Sequence, residues 1–172
     1  MPVDRNTPLT GTAALIADAA IRVMVNKGLD ALSVRNVAAE AGVAPGTVQY
    51  QMGTRDDIIA KAFMRSIQRQ ESRALRETDA TDFHAVIHSR LAELLPIGPV
   101  QREDAAVWVI VGAAASTREW LADLYDAEVE RFRARVSNGL AAAEQHGRLN
   151  SRLSPEQGAR LVTALVNGLT ID

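Results

Sequence analysis

The residues best suited to a binding or chemical role lie on one short predicted helix, between Pro45 and Gly53. Four of its side chains can form hydrogen bonds, and so short a helix gains nothing by packing them: Thr47, Gln49, Tyr50 and Gln51. A glutamine can form two hydrogen bonds to the edge of an adenine in the major groove of DNA. The alternative is an ordinary polar surface, and the concentration of these residues favours contact with bases or phosphates.

Other combinations of reactive side chains give only weak evidence for a metal or catalytic site. His84 and His88 are four residues apart on a predicted helix, a spacing that can hold a metal ion. No HExxH pattern, cysteine or third nearby histidine accompanies them, so an ordinary exposed or pocket-lining pair is the better interpretation. No Ser–His–Asp order, glycine-rich phosphate loop or carboxylate-pair motif stands out. We therefore predict no metal site, no cofactor and no enzymatic activity.

Start and stop signals predict the helices that hold the polar helix in place. Ser33 is placed to cap a helix through its hydroxyl, and Gly42 ends that helix. Pro45 fits the first position of the next helix, because its missing N–H would have no partner there. Together they predict two short helices joined by a tight turn, preceded by a first helix over about residues 12–27 with an apolar stripe.

The rest of the sequence also has helical patterns. Thr54 and Asp57 resemble a capping box that opens a long helix over about 55–76. Further helices are predicted over about 82–95, 102–116 and 118–146, and from 155 onward. The run Val107–Val111 is apolar on every side, which predicts a helix buried within a bundle. With no alternating polar–apolar run, the predicted fold class is all-α.

Composition narrows the class of protein. The 172 residues are 47% hydrophobic and 23% charged, as in ordinary soluble globular proteins. The absence of cysteine excludes disulfides and thiolate sites and is compatible with a reduced cytosol. The longest apolar run, 105–115, is shorter than the roughly 20 residues of a membrane span, and the N-terminus lacks a secretory pattern. We expect a cytoplasmic protein with no membrane partner. The net charge of −2 does not by itself indicate DNA binding.

The stretch from Ser33 to Ala62, SVRNVAAEAGVAPGTVQYQMGTRDDIIAKA, resembles the N-terminal domain of tetracycline-repressor (TetR) family transcription regulators. The shared pattern is Ser-x-Arg-x-Val-Ala, then Ala-Gly-Val, then a small residue, Gly, Thr, an apolar residue and a tyrosine-containing tip. It covers about a third of the chain with the first helix, and the rest matches in helix order and length. At the tip, VQYQM replaces the more common Leu-Tyr-His-Tyr-Phe, so we expect an altered base preference.

The resemblance implies two domains. Residues 1–53 would form a three-helix DNA-binding domain with a helix-turn-helix and a flexible arm over 1–11. Residues 54–172 would form a helical ligand-binding and dimerisation bundle. The implied partner is double-stranded DNA. The expected DNA contacts are Ser33, Arg35, Pro45, Gly46, Thr47, Gln49, Tyr50, Gln51, Thr54 and Arg55.

The resemblance also implies a small-molecule pocket and a dimer interface. Two tips about 34–36 Å apart can enter successive major grooves, which predicts a symmetric homodimer. The candidate pocket residues are Met64, Ile67, Phe83, Ile87, His88, Leu91, Trp108, Val111, Trp120 and Tyr125. The candidate interface residues are Val129, Phe132, Val136, Leu161, Leu165 and Leu169. For any single aromatic residue, plain core remains the alternative.

The resulting functional hypothesis is a ligand-responsive transcriptional regulator, a repressor that a small molecule releases from a palindromic operator. The alternative is a helical small-molecule-binding or adaptor protein that has lost operator binding, because the tip is unusual and the charge is slightly acidic.

Overall fold

The chain folds into helices throughout the part that the computed structural model describes, which is residues 8–75, 83–149 and 152–171. These helices are α1 (Gly11–Lys27), α2 (Val34–Ala41), α3 (Pro45–Met52), α4 (Arg55–Ala74), α5 (Phe83–Ala92), α6 (Pro99–Ala115), α7 (Glu119–Gln145) and α8 (Pro155–Ile171). A short 3-10 turn, Leu29–Ala31, joins α1 to α2. No strand occurs within the described ranges, and the all-α prediction is confirmed.

The helix ends near α3 follow the predicted signals. The Ser33 hydroxyl accepts a hydrogen bond from the Asn36 amide at 3.2 Å, which caps α2. Gly42 closes α2 with φ +68°, a left-handed conformation that glycine adopts without a steric penalty. Thr54 and Asp57 form the predicted reciprocal capping box at the start of α4. The chain therefore turns sharply on both sides of α3.

The boundary between α5 and α6 differs from the prediction. We expected Pro96–Pro99 to separate helices ending near 95 and beginning near 102. Instead, α5 ends at Ala92 and α6 begins at Pro99 itself. A proline is favourable at the first helical position, so the second proline of this segment opens a helix instead of preceding one.

The main core is built around α1. Ile16, Ile21 and Met24 of α1 are fully buried, and α1 packs against α2, α3, α4 and α6. The same apolar cluster continues through Phe63 of α4 and Val107 of α6. The predicted division after residue 53 stays a prediction, and α4 and α6 share one core with the first three helices.

Helix α6 is less enclosed than its apolar run predicted. Val107 and Val111 are fully buried, whereas Val109 keeps 40% of its surface exposed. The prediction of burial on all sides is therefore wrong for Val109, because this face of α6 borders a cavity.

Among the described residues, no helix is long and apolar enough to cross a membrane.

Candidate nucleic-acid interface and effector cavity

Helices α2 and α3 form a compact unit on the surface of α1. Val37 of α2 and Val48 and Met52 of α3 are fully buried and join the main core. The amide of Val43 donates to the carbonyl of Ala38 at 3.1 Å, which fixes the turn between the helices. Apolar anchors thus occupy the inner side of α3 and leave its other side to solvent.

The outer side of α3 presents polar groups. Tyr50 is 86% exposed, and Gln49 is also exposed. Pro45 and Gly46 are exposed at the N-terminal end of α3, while Thr47 and Gln51 are partly buried. A tyrosine normally buries much of its ring, so this exposure is consistent with a surface that meets a partner.

Arg35 and Ser33 lie at the start of α2, which packs directly on α3. Arg35 is exposed, as its predicted orientation away from Val37 and Ala38 requires. Ser33 is partly buried and uses its hydroxyl as the cap of α2. The free amides of a helix N-terminus favour a nearby anion such as phosphate. Arg35 and Ser33 therefore lie on the helix that packs against α3.

Thr54 and Arg55 are engaged within the chain. Asp57 accepts hydrogen bonds from the Thr54 amide at 2.9 Å and hydroxyl at 2.8 Å, and these bonds hold the pKa of Asp57 below its ordinary value. Arg55 donates through Nε to the Leu32 carbonyl and through a terminal nitrogen to the Leu29 carbonyl, both at 2.9 Å. Arg55 thus uses its Nε and one terminal nitrogen for bonds within the chain.

Lys61 is a residue that the sequence analysis did not single out. Its ammonium group lies 2.8 Å from the Gln51 carbonyl and 3.2 Å from the Met52 carbonyl, at the C-terminal end of α3. A cation there stabilises carbonyls that have no partner within the helix. The sequence pattern does not predict this contact, because Lys61 belongs to a different helix and reaches α3 only in the folded chain.

Helices α4 to α8 line a cavity of about 710 Å³, a size typical of small-molecule sites. Its walls are mostly aliphatic and aromatic. The Trp108 and Tyr125 rings meet edge to face, with centroids 5.5 Å apart. The Trp108 indole N–H donates to the Gln70 side-chain oxygen at 3.0 Å. Burial raises the pKa of Tyr125, to which the neighbouring Asp126 also contributes. Such a cavity suits a largely apolar molecule with a few polar groups.

Polar side chains interrupt the apolar wall at several places: Gln70, Glu71, Arg90, Glu128, Arg135, Thr163, Asn167 and Thr170. Several of them already have partners. Arg135 forms an ion pair with Glu71 at 2.9 Å, and Glu128, which is buried, lies 3.6 Å from Arg131. The charged residues in the wall are two acidic and two basic, so their formal charges balance.

Two family models match the chain. The model described as "Bacterial regulatory proteins, tetR family" matches residues 16–62, and "BetI-type transcriptional repressor, C-terminal" matches residues 83–172, more than half of the chain. This protein belongs to the TetR family. The resemblance seen at Ser33 to Ala62 is thereby confirmed.

Relatives of this TetR-family chain are transcriptional regulators. The chain is 25% identical over 158 residues to the HTH-type transcriptional regulator PksA of Bacillus subtilis, covering 91% of the chain and 75% of PksA. It is 26% identical over 163 residues to the regulator BetI of Brucella suis, covering 91% and 76% of the two chains. The TetR-family protein is thus a DNA-binding transcriptional regulator that responds to a ligand.

Solved structures show the same fold. A TetR-family regulator from Rhodococcus sp. superposes with a TM-score of 0.83 at 23% identity, covering 92% of this chain and 85% of the other. A regulator from Saccharomonospora viridis in complex with choline superposes with a TM-score of 0.77 at 21% identity, covering 92% and 83%. At these identities the superpositions speak for the fold alone.

The predicted pocket residues of this TetR-family regulator divide into two groups. Ile67, Ile87, Leu91, Trp108 and Tyr125 lie in the cavity wall.

The second group lies outside the wall. Met64 and Val111 are in the main core, while His88 and Trp120 are exposed. The structure places these four outside the cavity wall, on other faces of their helices. The side chain of Phe83 is outside the described part of the chain. No group of three metal-binding residues occurs within the described part.

The predicted dimer residues also divide. Leu161, Leu165 and Leu169 of α8 are 51%, 55% and 49% exposed, as residues available to a second chain would be. Val129, Phe132 and Val136 of α7 instead line the cavity. Their assignment to the interface stays a prediction, because lining a cavity of one chain does not exclude contact with a second chain.

A buried ionic cluster fastens α4 to α6. Asp104 of α6 is fully buried. It accepts hydrogen bonds from the Ser66 hydroxyl at 3.0 Å and from Arg73 at 2.7 Å, and it lies 3.3 Å from Arg69. Burial raises the pKa of Asp104, although Arg73 and Arg69 oppose that shift.

The ionic contacts continue from α4 to α1 and to the segment after α5. Arg65 donates two hydrogen bonds to Asp18 of α1, at 2.9 and 3.0 Å. Arg73 also donates to Glu93 at 2.8 Å. Because α1 packs on both α2 and α3, these contacts join α2 and α3 indirectly to α4 and α6 through α1.

Proposed function

We propose that this regulator is a homodimeric repressor that binds a palindromic operator and leaves it when a small molecule enters the cavity between α4 and α8. The observation that carries the proposal is the outer side of α3, where Gln49 and Tyr50 are exposed while Val48 and Met52 anchor the inner side. Such a division suits a helix that enters the major groove.

Within the operator complex, the residues have different tasks. Gln49 and Tyr50 face base edges, and Gln49 can bond bidentately to an adenine. Pro45, Gly46 and Thr47 bring the start of α3 close to the DNA, and Gln51 lies at the edge of the contact. Arg35, with Ser33 and the N-terminus of α2, meets phosphate, which positions the protein but carries no sequence information.

A second copy supplies the second tip. The exposed leucines of α8 recur every four residues, which places Leu161, Leu165 and Leu169 on one apolar stripe. On α7, Ala134, Asn138 and Ala142 are exposed at the same spacing, and their short side chains allow close approach of another helix. Two copies of this α7–α8 surface would form a four-helix bundle.

The effector is a molecule with a largely apolar body. Its contacts are with Ile67 and Leu91 on one side of the cavity and with Val129, Phe132 and Val136 on the other. The Trp108–Tyr125 ring pair and the buried Glu128 form a more polar region where a donor or cationic group could bind. Choline, found in the neighbour from Saccharomonospora viridis, is therefore a useful first probe beside larger apolar molecules.

Effector binding would change the spacing of the two tips. The body formed by α1, α3, α4 and α6 carries the tip, whereas α7 and α8 carry the dimer interface. A molecule lodged between α4 and α7–α8 favours the orientation of these two parts that leaves room for it. Release then follows only if the effector binds the released form more tightly than the operator-bound form. Because its binding site is DNA, we propose that the protein acts in the cytoplasm.

A gel-shift titration with the DNA upstream of the coding sequence tests this proposal. Sequence-selective retardation that weakens with salt supports the regulator. Gln49→Ala should relax base preference, and Arg35→Ala should weaken binding to all sequences equally. No retardation at low salt, together with binding of small molecules to the purified protein, would instead support a ligand-binding protein that has lost operator recognition.

A further inference from the structure

We infer that Lys61 orients the recognition helix α3, and Arg55 the entry to α2, by bonding to backbone carbonyls, and that neither contacts phosphate. The inference deepens the proposed function and rests on α3 being the DNA-reading helix. It differs from the expectation for Arg55 that the TetR resemblance suggested, and it adds Lys61 to the residues that control DNA affinity.

Lys61 holds the C-terminal end of α3. The last four carbonyls of a helix have no partner within it. The Lys61 ammonium reaches two of these, from Gln51 and Met52. Because these bonds come from α4, they fix the end of α3 relative to α4 as well as satisfying the carbonyls.

Arg55 holds the other end of the helix-turn-helix unit. Its two 2.9 Å bonds go to the carbonyls of Leu29, the first residue of the 3-10 turn, and of Leu32, which lies between that turn and the Ser33 cap. A third contact, to Asp30, is longer at 3.5 Å. The rigid guanidinium fork bonds to several acceptors at once only in one orientation, so Arg55 locks the entry to α2 against the first turn of α4.

The contact between α3 and α4 is short. Helix α3 packs mainly on α1 and α2, and it meets α4 near their shared junction. That junction, Gly53, has φ +87°, and a side chain there would place its Cβ 2.5 Å from Asp57 Oδ2. The sharp turn at Gly53 and the Lys61 contacts thus add polar and backbone links between α4 and α3 to the apolar packing of Met52 in the shared core.

A substitution series separates positioning from phosphate contact. Lys27 is the only other lysine in the sequence and is exposed at the end of α1. Lys27→Met therefore makes the same charge change as Lys61→Met without touching α3. We expect Lys61→Met to weaken operator binding by about tenfold at every salt concentration, with the same dependence on salt as Lys27→Met. Lys61→Arg should restore most of the affinity.

Loss of a phosphate contact would give a different result. Two such contacts per dimer would reduce the slope of log K against log salt by about 1.8. A slope reduced by that amount relative to Lys27→Met would overturn the inference for Lys61. Arg55→Met should weaken binding with the same dependence on salt as Lys27→Met; unchanged affinity, or a slope reduced by about 1.8 relative to Lys27→Met, would overturn the inference for Arg55.

Hydrogen exchange on the protein without DNA provides an independent test. In Lys61→Met, the amides of the last turn of α3, including Gly53, should exchange about tenfold faster than in wild type, while those of α8 should not change. Unchanged exchange at α3 would contradict a positioning role. If wild-type protein bound no DNA, the proposed function would fail, yet the exchange result would still decide whether Lys61 holds α3.

Discussion

The hydrogen bond between Trp108 and Gln70 joins the cavity wall on α6 to α4, and its removal has a calculable cost. Gln70 keeps only 7% of its surface exposed, and the indole N–H lies 3.0 Å from its side-chain oxygen. Gln70→Leu leaves the indole donor without that acceptor. A buried polar group without a partner costs about 1–3 kcal/mol, and the cavity allows water to reach this one, so we expect about 1–2 kcal/mol.

The double variant should cost less than the sum of the single variants. Trp108→Phe leaves the Gln70 oxygen without its donor, and we expect a further loss of about 1–2 kcal/mol from the same cause. When both partners become apolar, no unsatisfied group remains, so the two changes should couple by about 1 kcal/mol or more. For a chain of this length, each single change should lower the Tm by roughly 2–8 °C.

Urea unfolding monitored by circular dichroism measures all four proteins of this cycle. Trp120→Phe, an exposed tryptophan outside the cavity wall, controls for the loss of an indole. Additivity within about 0.5 kcal/mol would refute the reasoning, because it would mean that the bond contributes nothing beyond the separate packing of the two side chains.

Three other substitutions test separate parts of the account. Leu165→Glu places like charges in the proposed α8 interface and should convert the dimer to a monomer in sedimentation equilibrium, with loss of operator binding; a stable dimer would place the interface elsewhere. Asp57→Asn should remove part of the acid sensitivity: the lowered pKa of Asp57 stabilises the folded state above about pH 4, and that contribution is lost as the pH falls through the lowered value. Thermal scans from pH 3 to 7 should show the wild type losing this contribution at low pH and the variant lacking it throughout. Val129→Trp should fill part of the cavity and weaken small-molecule binding by at least tenfold in calorimetry; unchanged affinity would place the effector elsewhere.

Local signals made the N-terminal third of the fold predictable. The cap at Ser33, the glycine at Gly42, the proline at Pro45 and the Thr54–Asp57 capping box each determine a helix end through bonds to near neighbours in sequence. Such interactions can be predicted without knowledge of the tertiary structure. The TetR family assignment followed from the same stretch, because its spaced residues are the ones that shape the turn and the tip.

Interactions between distant residues were not predictable in the same way. The stripe of Val129, Phe132 and Val136 shows that one face of α7 is apolar, but not whether that face meets a second chain or the chain's own cavity. The acceptors of Arg55 lie 23 and 26 residues earlier in the sequence, and no periodicity connects them.

The central claim is that two α3 tips, held at a fixed distance by a shared α7–α8 bundle, read DNA together. Selection of binding sites from a pool of random DNA sequences tests this claim most directly. We expect enrichment of an inverted repeat whose half-sites lie about one helical turn, or a multiple of it, apart, with two protein chains bound per duplex. Recovery of no common sequence at low salt, or of a single half-site bound by one chain, would contradict it.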